Sequence, residues 1–281
     1  MRQVWRMLLR NPGGLIGVAI LTMAIAVALI GPLLFPTSPW RMVQRPFLPP
    51  FTMANLPLGT DALGRDVMAG IIYGARVSLL VALSATVVAV ILGVVLGITA
   101  GYFGGFVDSM VSRLMDLILA FPYLLFSIAL ISVVPVTTAW RIGVVVGVIS
   151  FFSWPYIGRI VRGQTLSLRE REFVEAARSV GAGPIRILFR ELLPNLVAPI
   201  LVYSTLVIPT NIVFEASLSF LGVGVLPPTP SWGRLLSDAV NYYTYDPVYM
   251  FVPGLAIFIM VLAFNLFGDG LRDALDPNAN R

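Results

Sequence analysis

Apolar positions fall into six long runs, each close to the ~20 residues that a helix needs to cross a bilayer core. They cover residues 14–35, 77–100, 114–135, 142–158, 197–221 and 248–267. The first two carry no charge, and the third has Asp116 near its start. The fourth is short and free to extend at either end. The fifth is interrupted by Pro199 and Pro209 and carries Asn211 and Glu215. Its length, about 22 apolar residues, makes the first run an uncleaved anchor, since a signal peptide core has only about 7–15.

Between the runs the pattern changes character. Residues 36–57 hold six prolines, too many for a helix, and are predicted to wander over the outer surface. Residues 61–73 suit a short interfacial helix leading into the second span. Residues 222–247 form another outer loop, kept extended at its start by Pro227, Pro228 and Pro230. Gly93, Gly97 and Gly101 share one helical face, and Gly143 and Gly147 repeat the spacing, which lets helix backbones approach closely in lipid. Pro122, Pro209 and Pro253 lie inside spans and are predicted to bend them.

Composition agrees with a chain solvated by lipid. Of 281 residues, 58% are hydrophobic and 12% charged, about half the charge of a soluble domain. There is no cysteine, histidine or lysine. Thiolate chemistry, disulfides and cysteine or histidine metal sites are excluded, and no cofactor is expected in this chain. A phosphate-binding P-loop needs its lysine, so the chain cannot hydrolyse ATP through one of its own, and no enzyme site is recognised.

All 19 basic residues are arginines, and the net charge is +5. They flank the apolar runs instead of clustering on a soluble face, so they read as orientation signals and not as a nucleic-acid surface. With the N-terminus inside, 13 fall on the inner side and 6 on the outer, summing to the 19 present. Both termini are therefore predicted to be cytoplasmic. Trp40, Phe47 and Trp232 fall outside and are read as interface anchors or as contacts for an external protein.

The longest inner segment, residues 161–195, is polar and arginine-rich. Ser167 and Glu170 have capping-box spacing, which predicts a helix from Leu168 with Phe173, Ala176, Ala177 and Val180 on one face. Gly181 then supplies a left-handed cap, Pro184 starts a second short helix and Pro194 ends it. The exposed stripe is small, which suits close docking beneath a protein better than burial in lipid.

These residues resemble a known motif. Glu175-Ala176-Ala177, Gly181 and Leu193-Pro194 look like the EAA loop of binding-protein-dependent ABC importer permeases, with Glu191 departing from the usual pattern. Gly59-Thr60-Asp61, Gly64-Arg65-Asp66, residues 73–79, 100–108, 215–222, 227–233 and 268–277 are similar to second-subunit permeases of the dipeptide/oligopeptide (and nickel) subfamily.

The resemblance implies an all-α polytopic membrane protein with six transmembrane helices and the type I ABC importer permease fold. It divides the chain into residues 1–75, a core over 76–270 containing the coupling loop 161–195, and a cytoplasmic tail over 271–281. It implies a bacterial inner-membrane location, a second homologous permease, two ATPase subunits that bind ATP and an extracytoplasmic solute-binding protein. Glu175, Ala176, Ala177, Gly181, Leu193 and Pro194 would then carry the coupling to the ATPase. An importer for nickel or another small solute, and a self-sufficient secondary transporter or channel, are the other readings.

Polar groups within the runs are candidates for a translocation pathway, because such groups are expensive in lipid. Asp116 lies at headgroup depth. Glu215, about 31 Å of helix beyond Pro194, either lines an outer gate or caps local backbone. Asn211 faces the pathway or bonds between helices. Tyr123 and Ser127, four apart, share a face that either lines the pathway or packs.

Overall fold

The computed structural model describes residues 7–8, 11–133 and 138–275, with only the backbone at 138 and 139. Among these there is no β-strand, only isolated bridges. The orientation arginines Arg2, Arg6, Arg10 and Arg281, the end of the third run at Pro135, and Asp276-Pro277 lie outside the described residues.

Among the described residues five helices are long and apolar enough to cross a membrane: α1 (Pro12–Leu34), α2 (Val67–Phe103), α5 (Thr138–Leu168), α7 (Pro184–Phe220) and α9 (Pro247–Leu275). A sixth crossing is assembled from α3 (Gly105–Ala120) and α4 (Tyr123–Val133), which meet at 88°. The third run is thus a broken span, not one helix. Pro122 lacks an N–H, and Phe121 before it is extended at φ −80°, ψ 139°, as a residue preceding proline prefers. By contrast, the helices continue without a break through Pro155, Pro199, Pro209 and Pro253.

Alternation of the spans defines two ends. One carries residues 35–66 and 222–246 with the short helix α8 (Trp232–Ala239). The other carries the chain entry to α1, the α2–α3 turn, α6 (Glu172–Ser179) and the start of α7. They are called here the loop end and the ledge end.

The glycine stripe on α2 has a definite partner. A Cβ at Gly93 would lie 2.9 Å from Gly158 N and Trp154 O, one at Gly97 2.7 Å from Gly158 O, and one at Gly101 2.6 Å from Thr165 Cβ. So α2 and α5 touch backbone to backbone, and this contact is the spine of the subunit. Gly143 and Gly147 do not repeat that role, since nothing among the described residues lies within 4 Å of a Cβ built there. On the other side α1 packs against α9 through Gly14, Gly17 and Gly270. Asn11 caps α1 through Gly13 N and Gly14 N, and its amide donates to Asp273 at 2.9 Å, tying the two helix ends together.

Residues 36–66 do not wander. Thr60 Oγ1 accepts from Leu48 N at 2.9 Å and donates to Arg45 O at 2.7 Å, and Leu48 is only 1% exposed. Asp61 accepts from the N–H groups of Leu63 and Arg65 and pairs with the Arg65 guanidinium. Gly59 and Gly64 have φ +74°, where a side chain would collide with the carbonyls of Leu48 and Gln44. Instead of the predicted interfacial helix over 61–73, a turn ends at Asp66, which caps α2 through Met68 N. Burial pushes the Asp66 carboxyl up, opposed by the N–H groups of Ala69 and Met68. The second span therefore starts ten residues earlier than hydropathy alone places it.

Candidate functional site: the ledge helix and the buried polar ladder

The helix at the ledge end starts later than its capping-box signal. Thr165, Ser167 and Leu168 still belong to α5, because that helix continues along the glycine face of α2 and Arg169 donates to Gly101 O at 3.0 Å. Glu170 pairs with Arg169 at 2.9 Å instead of reaching back to cap. The α6 helix then begins at Glu172, with no side chain capping it at Arg171.

Its end follows the pattern closely. Gly181 has φ +79°, its N–H donates to Arg178 O at 2.9 Å, and Ala182 N–H donates to Ala177 O at 3.0 Å. This is a Schellman closure, which needs a residue at ease in the left-handed region. Pro184 opens α7 as its first helical residue, and Pro194 does not end it. Over Ile187–Leu192 the helix widens to a π turn, directly before Pro194, whose missing N–H leaves a carbonyl one turn back without its usual donor.

One face of α6 is bound to the protein body and the other is bare. Val174 is fully buried with Ile187, Leu188 and Leu192 in the main core. Phe173 is 37% and Val180 80% exposed, Glu175 and Ala176 are exposed, and Ala177 is half-buried. Leu193 is half-buried and Pro194 exposed on the adjoining turn. Among the described residues Glu175 has no ion-pair partner, while Arg178 stacks over Tyr102 at 5.7 Å. The six EAA-like positions thus lie on α6, its closing turn and the start of α7, where exposed Ala176 sits beside a carboxylate with no ion-pair partner among the described residues.

Polar residues inside the spans form a ladder between helices. Asn211 on α7 donates to Thr86 on α2 at 2.9 Å and accepts from Ser153 on α5 at 2.7 Å. One turn further, Glu215 accepts from Ser78 on α2 at 2.9 Å and from Ser219 at 2.7 Å. Ser78 also accepts from Trp232 N at 3.2 Å, and Ser219 from Val225 N at 3.0 Å. Asn211 and Glu215 have no exposure, so in this conformation they bond between helices and hold the turn after α7, and neither lines an open surface. Arg141 reinforces the turn by donating to Gly224 O at 3.1 Å and Val223 O at 2.6 Å.

Tyr123 and Ser127 part company at the helix break. Ser127 is fully buried and donates to Tyr123 O at 2.6 Å, whereas Tyr123 is 46% exposed with its ring edge-on to Phe214 at 4.6 Å. Tyr123 borders a cavity of about 180 Å³ with Pro122, Phe152, Ser153, Tyr156 and Thr210. Sequence alone missed Tyr156 and Thr210, which reach it only because α3 and α4 fold back at Pro122. Asp116 meets Arg159 at 2.5 Å, both well exposed, so the pair adds little beyond local order. Trp232 is no surface anchor: it is 3% exposed and donates to Ile71 O at 3.1 Å. Trp40 and Phe47 are half-buried against Arg65 and Tyr242.

The architecture defines a multi-pass membrane protein with the type I ABC importer permease fold. A solved chain of the MetNI methionine ABC transporter, in inward-facing conformations, superposes with TM-score 0.60 over 75% of this chain and 98% of that one, at 19% identity. The family model for the binding-protein-dependent transport system inner membrane component matches residues 93–281, and the chain belongs to that family. The N-terminal TM domain of oligopeptide transport permease C matches residues 1–50.

Curated relatives include a dipeptide transport system permease protein DppC of Alkalihalophilus pseudofirmus, 39% identical over 98% of this chain and 89% of that protein. A di/tripeptide transport system permease protein DppC of Pseudomonas aeruginosa is 39% identical over 99% of this chain and 92% of its own length. A glutathione transport system permease protein GsiD of Shigella flexneri is 47% identical over 78% of this chain and 71% of its own length.

Proposed function

We propose that this chain is the permease subunit of an ATP-driven peptide importer, forming half of a translocation pathway beside a second, homologous permease. Relatives named for dipeptides, di/tripeptides and glutathione support the peptide class. ATP is bound by two separate ATPase subunits, consistent with the missing P-loop lysine, and a solute-binding protein delivers cargo at the loop end. The ledge end faces the cytoplasm with both termini, a reading that the arginine bias supports.

The observation that carries this reading is the two-sided α6 helix. Val174 locks it to the core while Phe173, Ala176 and Val180 stay bare. A helix held rigidly on one face and uncovered on the other transmits a push from a partner into α7, because α6 packs on the Ile187–Leu192 turn that leads into that span. Glu175 would meet a basic residue of the ATPase, and Gly181 fixes the angle of the ledge. Half-exposed Tyr123, at the break between α3 and α4, is the candidate pathway residue.

The test is the ATPase activity of the reconstituted complex with loaded binding protein. Gly181→Val should abolish the stimulation while leaving insertion and complex assembly intact. Undiminished stimulation would remove the lever role from α6.

A further inference from the structure

Every buried side-chain nitrogen or oxygen without a hydrogen-bond partner among the described residues lies in one place. These atoms are Trp40 Nε1, Arg234 Nε and Tyr249 Oη. All three residues line a polar cavity of about 430 Å³ at the loop end, between the 36–66 segment, α8 and the start of α9. That volume falls within the roughly 300–1,000 Å³ of small-molecule sites. Tyr249 is 2% exposed.

The acids around the cavity are already engaged. Asp61 accepts from Leu63 N, Arg65 N and the Arg65 guanidinium. Asp238 takes Arg234 Nη2 at 2.8 Å on one oxygen and Arg65 Nη2 at 3.6 Å on the other. The hydrogen-bonding capacity left over is therefore donors: an indole N–H, a guanidinium N–H and a phenol O–H, beside two arginines. A buried donor left unmade is costly, so three together favour any acceptor that reaches them. A carboxylate matches best, since it accepts on two oxygens and donates nothing.

We propose that this cavity is a carboxylate-binding site for a small solute, taking the α-carboxylate of a short peptide at the loop end. The peptide identity rests on the importer reading above; the carboxylate chemistry rests on the donors alone. Arg65 and Arg234 are charge-balanced by Asp61 and Asp238, so recognition rests on the directed bonds of Trp40, Arg234 and Tyr249. Ser237 and Asn241 lie at the same wall.

The experiment uses the full chain in lipid nanodiscs, with radiolabelled dialanine and dialanine amide as probes. Dialanine should bind and its amide should not, and Tyr249→Phe and Trp40→Phe should each weaken dialanine binding about tenfold, the 1.4 kcal/mol of one lost bond. Tyr249→Phe keeps the ring and its packing and removes only a hydroxyl that faces the Arg65 guanidinium, so its thermal stability should stay close to that of the native chain. Equal binding of acid and amide, or undiminished binding by Tyr249→Phe, overturns the site.

Binding of purified solute-binding protein to the same nanodiscs is the second arm. If the variants weaken that docking while dialanine never binds, the donors serve an acidic side chain of the partner and the solute site is refuted. ATP-driven peptide uptake by the native complex is measured in parallel. Uptake without carboxylate-dependent binding rejects only the site, whereas binding without uptake rejects only the importer reading.

Discussion

Ser153 donates to Asn211 at 2.7 Å across the α5–α7 contact, and the same Asn211 amide reaches Thr86 on α2 at 2.9 Å. One fully buried side chain thus joins three spans. Replacing it with leucine keeps the volume but removes both bonds. Ser153 and Thr86 retain a local outlet, since hydroxyls in helices bond the carbonyl one turn back. Asn211→Leu should therefore cost about 0.6–1.7 kcal/mol, the span measured for hydrogen bonds between membrane helices, read as a lower unfolding midpoint in mild detergent. A larger loss would mean that the exchange also disturbs the packing of the three spans.

Glu215 is the more demanding rung because it carries a carboxyl into a site without solvent. Glu215→Gln keeps an acceptor for Ser78 or Ser219 and should lower the midpoint modestly. Glu215→Ala leaves the Ser78 and Ser219 hydroxyls, which themselves hold Trp232 N and Val225 N, without their shared acceptor and should be worse by about 1–3 kcal/mol. Limited proteolysis within 222–231 should rise in the alanine variant. Equal behaviour of the two variants would contradict the capping role.

On the α2–α5 spine, Gly97→Leu places a side chain against Gly158 O and Val161. Overpacking of this kind costs about 1–3 kcal/mol, and more where backbone stands in the way. The matched control is Gly147→Leu, whose added Cβ meets nothing within 4 Å among the described residues. Only the first should lower the stability of the isolated chain in a thermal melt.

Thr60→Val removes the hydroxyl that ties Leu48 N and Arg45 O while keeping the shape. Leaving a buried N–H unmet should cost about 1–3 kcal/mol and speed amide exchange at residues 45–48. Unchanged protection there would show that the loop is held elsewhere.

The spans were legible in the sequence because lipid imposes a crude rule, about twenty apolar residues per crossing, and five continuous helices plus one broken one obey it. Gly181 was legible for a similar reason: only a few residues adopt φ +79° without strain. The ends of α2 and α5 were not, since polar residues such as Asp66 and Arg162 continue or cap a helix that hydropathy had already ended. Nor was the fold of residues 36–66, whose proline content hides its dependence on one threonine and one aspartate. Ser167 misled because a capping signal is local, whereas α5 is prolonged by its contact with Gly101. Glu215 and Asn211 were recognised as unusual, but their partners on other helices lie 58 to 137 residues away, which spacing does not reveal.

The central claim is that the bare face of α6 seats against an ATP-hydrolysing partner. The chain has no cysteine, so Ala176→Cys places a single thiol at the centre of that face. In membranes containing the assembled importer, a short bifunctional thiol reagent should join this position to an ATPase subunit that carries an engineered cysteine, with a yield that changes on adding ATP. A control thiol at Tyr245, exposed at the loop end, should give none. If Ala176→Cys never captures the ATPase while the complex still transports, the ledge is not where the motor engages.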